Sequence, residues 1–245
     1  MVTFTPQGRM GNYLFELATA MGYAFKNNIE YTAPFITLHE FWNPIYLKHL
    51  QNPKYNPNLP QAVIREYQHQ YQELPFNESW RDVNIVLSGY WQTEKYFKNY
   101  RQQILDAFNY EWNLNKGLVS VHVRRGDYIT FSEKHPAVPV EWYEEAMSMF
   151  PDKKFVFFSD DIEWCKENFK HRNDCSFSEG RSIEEDLIEI SQCEHHINSS
   201  STYSWWGAWL NRNEDKKIYT PKLWFTENWG NLNVDDIVPE TWIKL

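Results

Sequence analysis

The strongest constraint on the fold is a regular alternation of strand-like and helix-like segments in the second half of the chain. Strands are predicted at 118–123, 154–158, 174–177, 195–198 and 217–220. Helices are predicted between them at 140–150, 161–169, 183–192 and 202–211, and the third begins with a capping-box pair, Ser182 and Glu185. This alternation is typical of an α/β fold in which a parallel sheet is covered on both faces.

The first half begins in a similar way. A short strand over 2–5 precedes the turn PQGRMGN and a helix whose apolar residues share one face. Strand, turn and helix in this order open nucleotide-binding folds. Residues 34–80, rich in proline and aromatic residues, are predicted to form loops and short helices along one wall of a cleft. A strand over 83–88 and a helix over 93–108 follow.

The two halves together predict two Rossmann-like domains with a cleft between them. The polar stretch 109–116 is expected to be the junction, which divides the chain into domains 1–112 and 113–245. This division leaves open whether the C-terminal tail of the second domain packs against the first domain.

Composition excludes several classes of protein. The net charge of -9 is opposite to the balance of nucleic-acid-binding proteins, so positive charge for a phosphate ligand must be local. The 3 cysteines, without a Cys-x-x-Cys pair, indicate reduced thiols rather than disulfides or a zinc site. Residues 1–5 run straight into a strand and no apolar run of about 18 residues follows. We therefore expect a cytoplasmic protein, at most peripheral to the inner face of a membrane.

The aromatic content is high, with 12 Trp and 15 Tyr. One interpretation is that these rings are large buried side chains. The other is that they form a wall that lies against the faces of sugars or bases while their polar edges donate hydrogen bonds. The sequence leaves both open.

Polar side chains follow three of the predicted strands of the second half. In an open parallel sheet, ligands bind beyond the carboxyl ends of the strands, so these residues are expected to converge at one edge. They are Arg124, Arg125 and Asp127 after the first strand, Ser159, Asp160 and Asp161 after the second, and Asn198, Ser199, Ser200, Ser201 and Thr202 after the fourth.

Each group has a ligand-binding and a structural interpretation. Arg124 and Arg125 suit phosphate oxygens, or one of them binds the ligand while the other anchors the loop with Asp127. The hydroxyl run opens a helix, where free N–H groups and the helix dipole favour either a phosphate or simple N-capping. Asp186 could accept hydrogen bonds from a guanine edge or could simply be solvated. Asp160 and Asp161 are adjacent in sequence and not separated by one residue, which disfavours a metal site.

The chain resembles the alpha-1,2-fucosyltransferases, which share short motifs with alpha-1,6- and protein O-fucosyltransferases. Three segments carry the resemblance, GRMGNYLFELA (Gly8 to Ala18), HVRRGDY (His122 to Tyr128) and DLIEISQCEHHINSSSTYSWWGAWL (Asp186 to Leu210). It implies a GT-B-like fold, with an acceptor-side first domain and a second domain that binds the GDP-sugar. It also implies GDP-fucose as donor, a galactoside or lipid-linked glycan as acceptor, inversion at the fucose carbon, and no metal.

The resemblance also implies roles for particular residues. Arg124 would hold the β-phosphate, His122 would lie near the nucleotide, and Asp127 would complete the catalytic motif. Asp186 would bind guanine, and Gly11 and Asn12 would approach the sugar. The remaining donor-site residues would be Arg125, Asp160, Asn198, Ser199, Ser200, Ser201 and Thr202.

Some features stay open. The family has glutamine where this chain has Tyr13 and Glu16, and nothing in 34–80 indicates the acceptor. A general base is not identified among Asp127, Glu16, His122, Glu133 and His135. Two other functions are considered, transfer of a different GDP-sugar and a non-catalytic protein that binds carbohydrate or nucleotide.

Overall fold

The computed structural model of the protein describes residues 1–34, 49–108, 110–229 and 234–245. Contacts between Cα atoms divide the chain into two compact units, Met1–Asn109 with Leu232–Pro239 and Tyr110–Asn231 with Glu240–Leu245. The predicted junction after residue 112 lies close to this division. Of the stretch 34–80, residues 35–48 lie outside the described part of the chain.

The first unit contains a parallel three-stranded sheet. Its strands are β1 (Val2–Phe4), β2 (Gln61–Arg65) and β3 (Asn84–Ser88), in the order β1-β3-β2. Ile85 in the central strand lies opposite both Val2 and Ala62. In the described part of this unit the sheet is accompanied by the helices α1 (Met10–Asn27) and α2 (Arg101–Ala107), with 3₁₀ turns at Glu78–Asp82, Glu94–Tyr96 and Lys98–Tyr100.

Two predictions for this unit were wrong. The stretch predicted as loops and short helices contains β2, which is an edge strand whose only buried residue is Ile64. An edge strand with one buried residue lacks the alternating apolar pattern that identifies strands in sequence. The predicted helix over 93–108 is regular only over α2, because its first part forms two 3₁₀ turns.

The second unit contains a six-stranded sheet in which every pairing is parallel, as the alternation predicted. The strand order is β6-β5-β4-β7-β8-β9. The strands are β4 (Asn115–Val123), β5 (Lys154–Ser159), β6 (Cys175–Phe177), β7 (Cys193–Ile197), β8 (Ile218–Thr220) and β9 (Ile243–Lys244). The helices are α3 (Gly126–Thr130), α4 (Val140–Ser148), α5 (Ile162–Phe169), α6 (Ile183–Gln192) and α7 (Thr202–Leu210), followed by a 3₁₀ turn at Glu227–Trp229.

The sequence missed two short elements of this unit. Helix α3 has five residues and none of them is buried, so it leaves no apolar stripe to detect. Strand β9 has two residues and pairs with β8, which the sequence had taken as the last strand. The capping box of α6 is confirmed, since Ser182 and Glu185 satisfy each other's backbone N–H groups.

The core resolves part of the question about aromatic residues. The side chains of Trp91, Trp205 and Trp206 are fully buried, which is the structural interpretation of the tryptophan content. One face of the second sheet packs a core that includes Val121, Phe157 and residues of α4 and α5. The three cysteines are free thiols. Within the described part of the chain, no helix is long and apolar enough to cross a lipid bilayer.

Candidate active site

Arg124 lies directly after β4, and two carboxylates hold its guanidinium. One Nη donates to Oδ1 of Asp127 at 2.5 Å, and the other pairs with Oδ2 of Asp160 at 2.9 Å. Only 18% of the Arg124 side chain is exposed. A guanidinium carries five N–H donors in a planar fork, so two carboxylates fix its orientation and leave donors for an anion. Arg124 is therefore preorganised at the carboxyl edge of the sheet.

Asp160 acts on the same loop through its second oxygen. Oδ1 accepts the backbone N–H of Arg125 at 2.9 Å. A Cβ added at Gly126 would lie 2.5 Å from Oδ2 of Asp160, so a side chain there would displace this carboxylate. Asp160 therefore contacts the arginine loop, whereas its predicted role as a ligand for the donor stays a prediction.

The Arg125 side chain is occupied by structural contacts. Its Nε donates to Oδ2 of Asp161 at 3.1 Å, and the guanidinium lies 4.2 Å from the ring centroid of Trp164. Asp161 also caps α5 by accepting from the backbone N–H of Trp164. One arginine therefore anchors the loop, but the anchoring carboxylate is Asp161, whereas the predicted partner Asp127 pairs with Arg124. That Arg124 faces a ligand, and that Arg125 binds the donor, stay predictions.

Tyr128, the last residue of HVRRGDY, connects the arginine loop to the serine run. Its hydroxyl donates to the carbonyl of Ser200 at 2.6 Å. Its ring lies 5.7 Å from the guanidinium carbon of Arg124 and stacks on His135 with 4.2 Å between ring centroids. A cation near a tyrosine face is attracted by the ring quadrupole. Tyr128 therefore touches both predicted phosphate-binding groups.

The serine run forms the start of α7. Ser201 is the N-cap, and its hydroxyl accepts the backbone N–H of Tyr203. Ser200 donates its hydroxyl to the carbonyl of Leu223 at 2.8 Å. Thr202 is the first residue of the helix. The backbone N–H groups at a helix N-terminus and the helix dipole favour an anion at this position.

Asn198 adds an independent indication of a ligand. It follows β7 directly and only 1% of it is exposed. Neither its side-chain oxygen nor its nitrogen has a hydrogen-bond partner among the residues that the structure describes. A buried amide without partners costs about 1–3 kcal/mol. A water molecule or a bound ligand would remove that cost.

His122 is a neutral ring inside the same edge. Burial, assisted by the nearby charge of Arg124, lowers the pKa of His122 to about 3. Its Nδ1 lies 2.8 Å from Oγ of Ser199, and its ring lies 5.4 Å from that of Tyr203. A neutral imidazole adds no positive charge, so the cationic part of this edge is Arg124.

Asp186 occupies a half-buried position on α6. Ser178, which follows β6, donates its hydroxyl to Oδ1 of Asp186 at 2.6 Å. Burial raises the pKa of Asp186. Tyr203 lies next to this group, with its hydroxyl bonded to the carbonyl of Ile183 at 2.6 Å. Tyr203 therefore contacts both the start of α6, which carries Asp186, and the ring of His122.

The predicted sugar-side residues belong to the first unit. Gly11 and Asn12 lie in the first turn of α1 and not in a loop. Oδ1 of Asn12 accepts from the side-chain amide of Gln92 at 2.9 Å. Glu16 is 0% exposed, and its carboxyl accepts the backbone N–H of Gln7 at 3.0 Å. Glu16 therefore has no exposed surface with which to contact an acceptor.

The two adjacent histidines point to opposite faces of β7, as expected for a strand. The ring of His195 stacks on that of Phe150, with 5.0 Å between centroids. The two ring nitrogens of His196 form hydrogen bonds of 2.8 Å with the side chains of Ser120 and Asn211. The described ranges contain no group of three or more His, Cys, Asp or Glu side chains arranged for a metal ion.

Parallel sheets of this kind, with an oriented arginine and a hydroxyl-rich helix start at one edge, are typical of α/β proteins that bind a phosphate-bearing ligand beyond the carboxyl ends of the strands. The chain belongs to Glycosyl transferase family 11, because the family model matches residues 1–245. The resemblance noted in the sequence is thereby confirmed.

Several relatives carry more specific names. An alpha-1,2-colitosyltransferase from Escherichia coli is 33% identical over 185 residues, which cover 66% of this chain and 63% of the relative. The O-antigen biosynthesis glycosyltransferase WbnK from Escherichia coli is 32% identical, over 65% of this chain and 60% of the relative. The matches thus span less than two thirds of these two proteins. Galactoside alpha-(1,2)-fucosyltransferase 1 from Mus musculus is 25% identical over 95% of this chain and 73% of the relative.

Two solved structures share the fold. POFUT1 in complex with GDP superposes with a TM-score of 0.50 at 12% identity, covering 89% of this chain and 97% of that one. NodZ alpha-1,6-fucosyltransferase soaked with GDP-fucose gives 0.50 at 13% identity, covering 91% and 95%. The predicted GT-B-like fold is confirmed by these similarities.

Proposed function

We propose that the protein transfers fucose from GDP-fucose to a hydroxyl of a galactoside and forms an alpha-1,2 linkage with inversion. The observation that carries the proposal is the arginine of HVRRGDY, held by two aspartates beside the N-terminus of α7. The names of the family 11 relatives support fucose or a related sugar, and those of the two solved structures support GDP.

In this reaction negative charge grows on the β-phosphate as GDP departs. Arg124 and the N–H groups at the start of α7 would stabilise that charge in place of a metal ion, and we propose that no metal is required. Charge-assisted hydrogen bonds contribute about 1.5–3 kcal/mol each. Two or three that strengthen in the transition state would accelerate transfer by roughly a thousandfold or more.

The nucleotide specificity is the first test. We expect GDP to raise the melting temperature of the protein and UDP to leave it unchanged, because the Asp186 carboxylate suits the two donors on the guanine edge. Thermal-shift measurements at equal nucleotide concentrations would check this. If no nucleotide has an effect, the non-catalytic carbohydrate-binding interpretation is favoured instead.

A second candidate is transfer of colitose, because one of the relatives is an alpha-1,2-colitosyltransferase. Competing donors carrying fucose or colitose, each offered with a simple galactoside, would separate the two functions. The released GDP and the linkage of the product are the readouts.

Tyr128 offers a sharper test of the phosphate site. Removing its hydroxyl in Tyr128→Phe breaks the bond to Ser200, whereas Tyr128→Leu also removes the ring beside Arg124. We expect the selectivity for GDP over GMP to fall modestly in the first variant, which loses a bond to a neutral carbonyl. It should fall about tenfold in the second, because Arg124 without the ring beside it would lose about one charge-assisted hydrogen bond to the β-phosphate, worth about 1.5 kcal/mol. Isothermal titration with both nucleotides measures the ratio, and equal losses for GDP and GMP would contradict this role.

A further inference from the structure

One hydrogen bond joins the end of strand β6 to the first turn of helix α6. The Ser178 hydroxyl donates to Oδ1 of Asp186 at 2.6 Å. A hydrogen bond from a hydroxyl to an ionised carboxylate is short, as here, and roughly twice as strong as one between neutral groups. Both residues belong to the second unit, as do Arg124 and the start of α7.

Both partners of this bond are held by regular structure. Ser178 lies one residue beyond β6, and its backbone N–H still donates to the carbonyl of Phe157 at 2.9 Å, which continues the pairing with β5. The backbone N–H of Asp186 donates to the carbonyl of Ser182, the N-cap of α6, at 3.0 Å. Gly180, between them, has a φ of +72°, a left-handed conformation that glycine adopts without strain. The bond therefore has a fixed geometry before any ligand binds.

The pair is placed to meet the base of a nucleotide whose phosphates lie at the start of α7. Tyr203, in the first turn of α7, donates its hydroxyl to the carbonyl of Ile183, the first residue of α6. The ring of Tyr203 also lies 5.4 Å from that of His122 in β4. A ligand that extends from the start of α7 to Asp186 therefore stays within one unit.

The bond leaves most of the acceptor capacity of the carboxylate unused. A carboxylate offers about four lone-pair sites on its two oxygens, and Ser178 occupies one of them. Among the residues that the structure describes, none donates a hydrogen bond to Oδ2 of Asp186. The guanine edge carries two neighbouring donors, N1–H and N2–H, which need one acceptor oxygen each. A carboxylate already held in one orientation can accept both without losing further rotamer freedom.

The same bond favours the ionised form of Asp186. Burial raises the pKa of Asp186, and the hydrogen bond from Ser178 opposes that effect because it stabilises the carboxylate. Of the charged neighbours, Arg181 before α6 favours the ionised form and Glu185 on α6 disfavours it. Tyr203, which faces Asp186 from α7, stays neutral because burial raises its pKa far above the usual range. The Ser178 hydroxyl therefore offsets part of the effect of burial.

We propose that Ser178 is a positioning residue for guanine recognition, whose hydroxyl orients Asp186 so that its two oxygens meet N1–H and N2–H of the base. This role rests on the proposed function, because it requires a GDP-sugar in the second unit. Ser178 acts through Asp186 and does not itself contact the base. A carboxylate oriented in this way favours guanine over hypoxanthine, which lacks the N2 amino group.

The test is Ser178→Ala, which removes the hydroxyl and keeps the backbone pairing with β5. Isothermal titration with GDP and with IDP, the hypoxanthine nucleotide, gives the two affinities. Kd for GDP is expected to rise about tenfold, the usual effect of removing one hydrogen bond to a charged group. Kd for IDP should rise less, about threefold, because a single donor of its base faces the carboxylate. The preference of the wild type for GDP over IDP should therefore narrow.

Two further variants serve as controls. Ser176→Ala removes a hydroxyl from the same strand that donates to the carbonyl of Phe155 at 3.1 Å instead of to a carboxylate. It should bind both nucleotides as the wild type does. Ser178→Thr keeps the hydroxyl and should retain the preference for GDP. A loss of preference in Ser178→Thr equal to that in Ser178→Ala would assign the effect to packing and overturn the proposal.

The pH dependence separates positioning from a merely structural role. Without the hydroxyl the pKa of Asp186 rises further, so the carboxylate becomes protonated, and guanine binding weakens, at a higher pH than in the wild type. The Kd for GDP of Ser178→Ala, divided by that of the wild type, should therefore grow as the pH is lowered from about 8 to about 5. The titration of the GDP phosphates cancels in this ratio.

The outcomes distinguish this role from the proposed function. Equal losses of affinity for GDP and IDP, or a Kd ratio that does not change with pH, would overturn the role of Ser178 while the wild type still binds GDP. A wild-type protein that does not bind GDP would instead contradict the proposed function itself, and the role of Ser178 would fail with it.

Discussion

Arg124→Ala is expected to lower kcat/KM for fucosyl transfer by about a thousandfold or more while the protein stays folded. The side chain is the cation held at the carboxyl edge of the second sheet by Asp127 and Asp160. Its loss removes the charge that would stabilise the leaving β-phosphate, and two or three charge-assisted hydrogen bonds correspond to this factor. Release of GDP from GDP-fucose, measured with a galactoside acceptor and EDTA present, gives the rate.

The control is Arg172→Ala, which removes another arginine of the second unit that pairs with an aspartate. Arg172 donates to Asp174 at 2.6 Å and lies over Phe155, and it has no part in the proposed site. It should therefore leave transfer near the wild-type rate. Arg124→Lys keeps the charge but loses the planar fork, so an intermediate rate is expected. Near-normal transfer by a folded Arg124→Ala protein would refute the proposed mechanism.

The central strands of the second sheet, β4, β5 and β7, could be predicted from the sequence because most of their residues are buried on both faces. Such strands appear in the sequence as apolar runs, for example LVSVHV, and their alternation with helices indicates that the strands of the sheet are parallel. Once the strands are known, topology places Arg124, Asp160 and Ser200 at one edge. The convergence of these residues therefore followed from the sequence without any knowledge of side-chain contacts.

The partners of those residues could not be predicted in the same way. The contact of Asp160 with the Arg124 loop depends on the close approach at Gly126, which is a tertiary feature. Likewise, the bond from Tyr128 to the Ser200 carbonyl joins positions far apart in sequence. Strand β2 was not predicted because it is an exposed edge strand with one buried residue, so no apolar pattern marks it in the sequence.

Glu16→Gln is expected to raise the free energy of unfolding, and to do so increasingly as the pH rises. Burial, together with the nearby charge of Glu66, raises the pKa of Glu16 from 4.5 to about 9. A carboxyl with a raised pKa in the folded state stabilises the fold below its unfolded pKa of 4.5 and loses that contribution as the pH rises towards 9. At pH 7 the burial of Glu16 thus costs about 3 kcal/mol, since each pH unit above the unfolded pKa adds roughly 1.4 kcal/mol.

Glutamine has the same shape and can still accept the N–H of Gln7, but it carries no titrating proton. It is also the residue that the family resemblance implies at this position. Urea unfolding at several pH values should therefore give nearly equal stabilities for the two proteins near pH 5 and a widening advantage for Glu16→Gln up to pH 8. Glu78→Gln serves as the control, because Arg81 lowers the pKa of Glu78 and gives that exposed carboxyl the opposite pH dependence. If the difference between wild type and Glu16→Gln does not change with pH, Glu16 is not the buried, protonated carboxyl that the structure indicates.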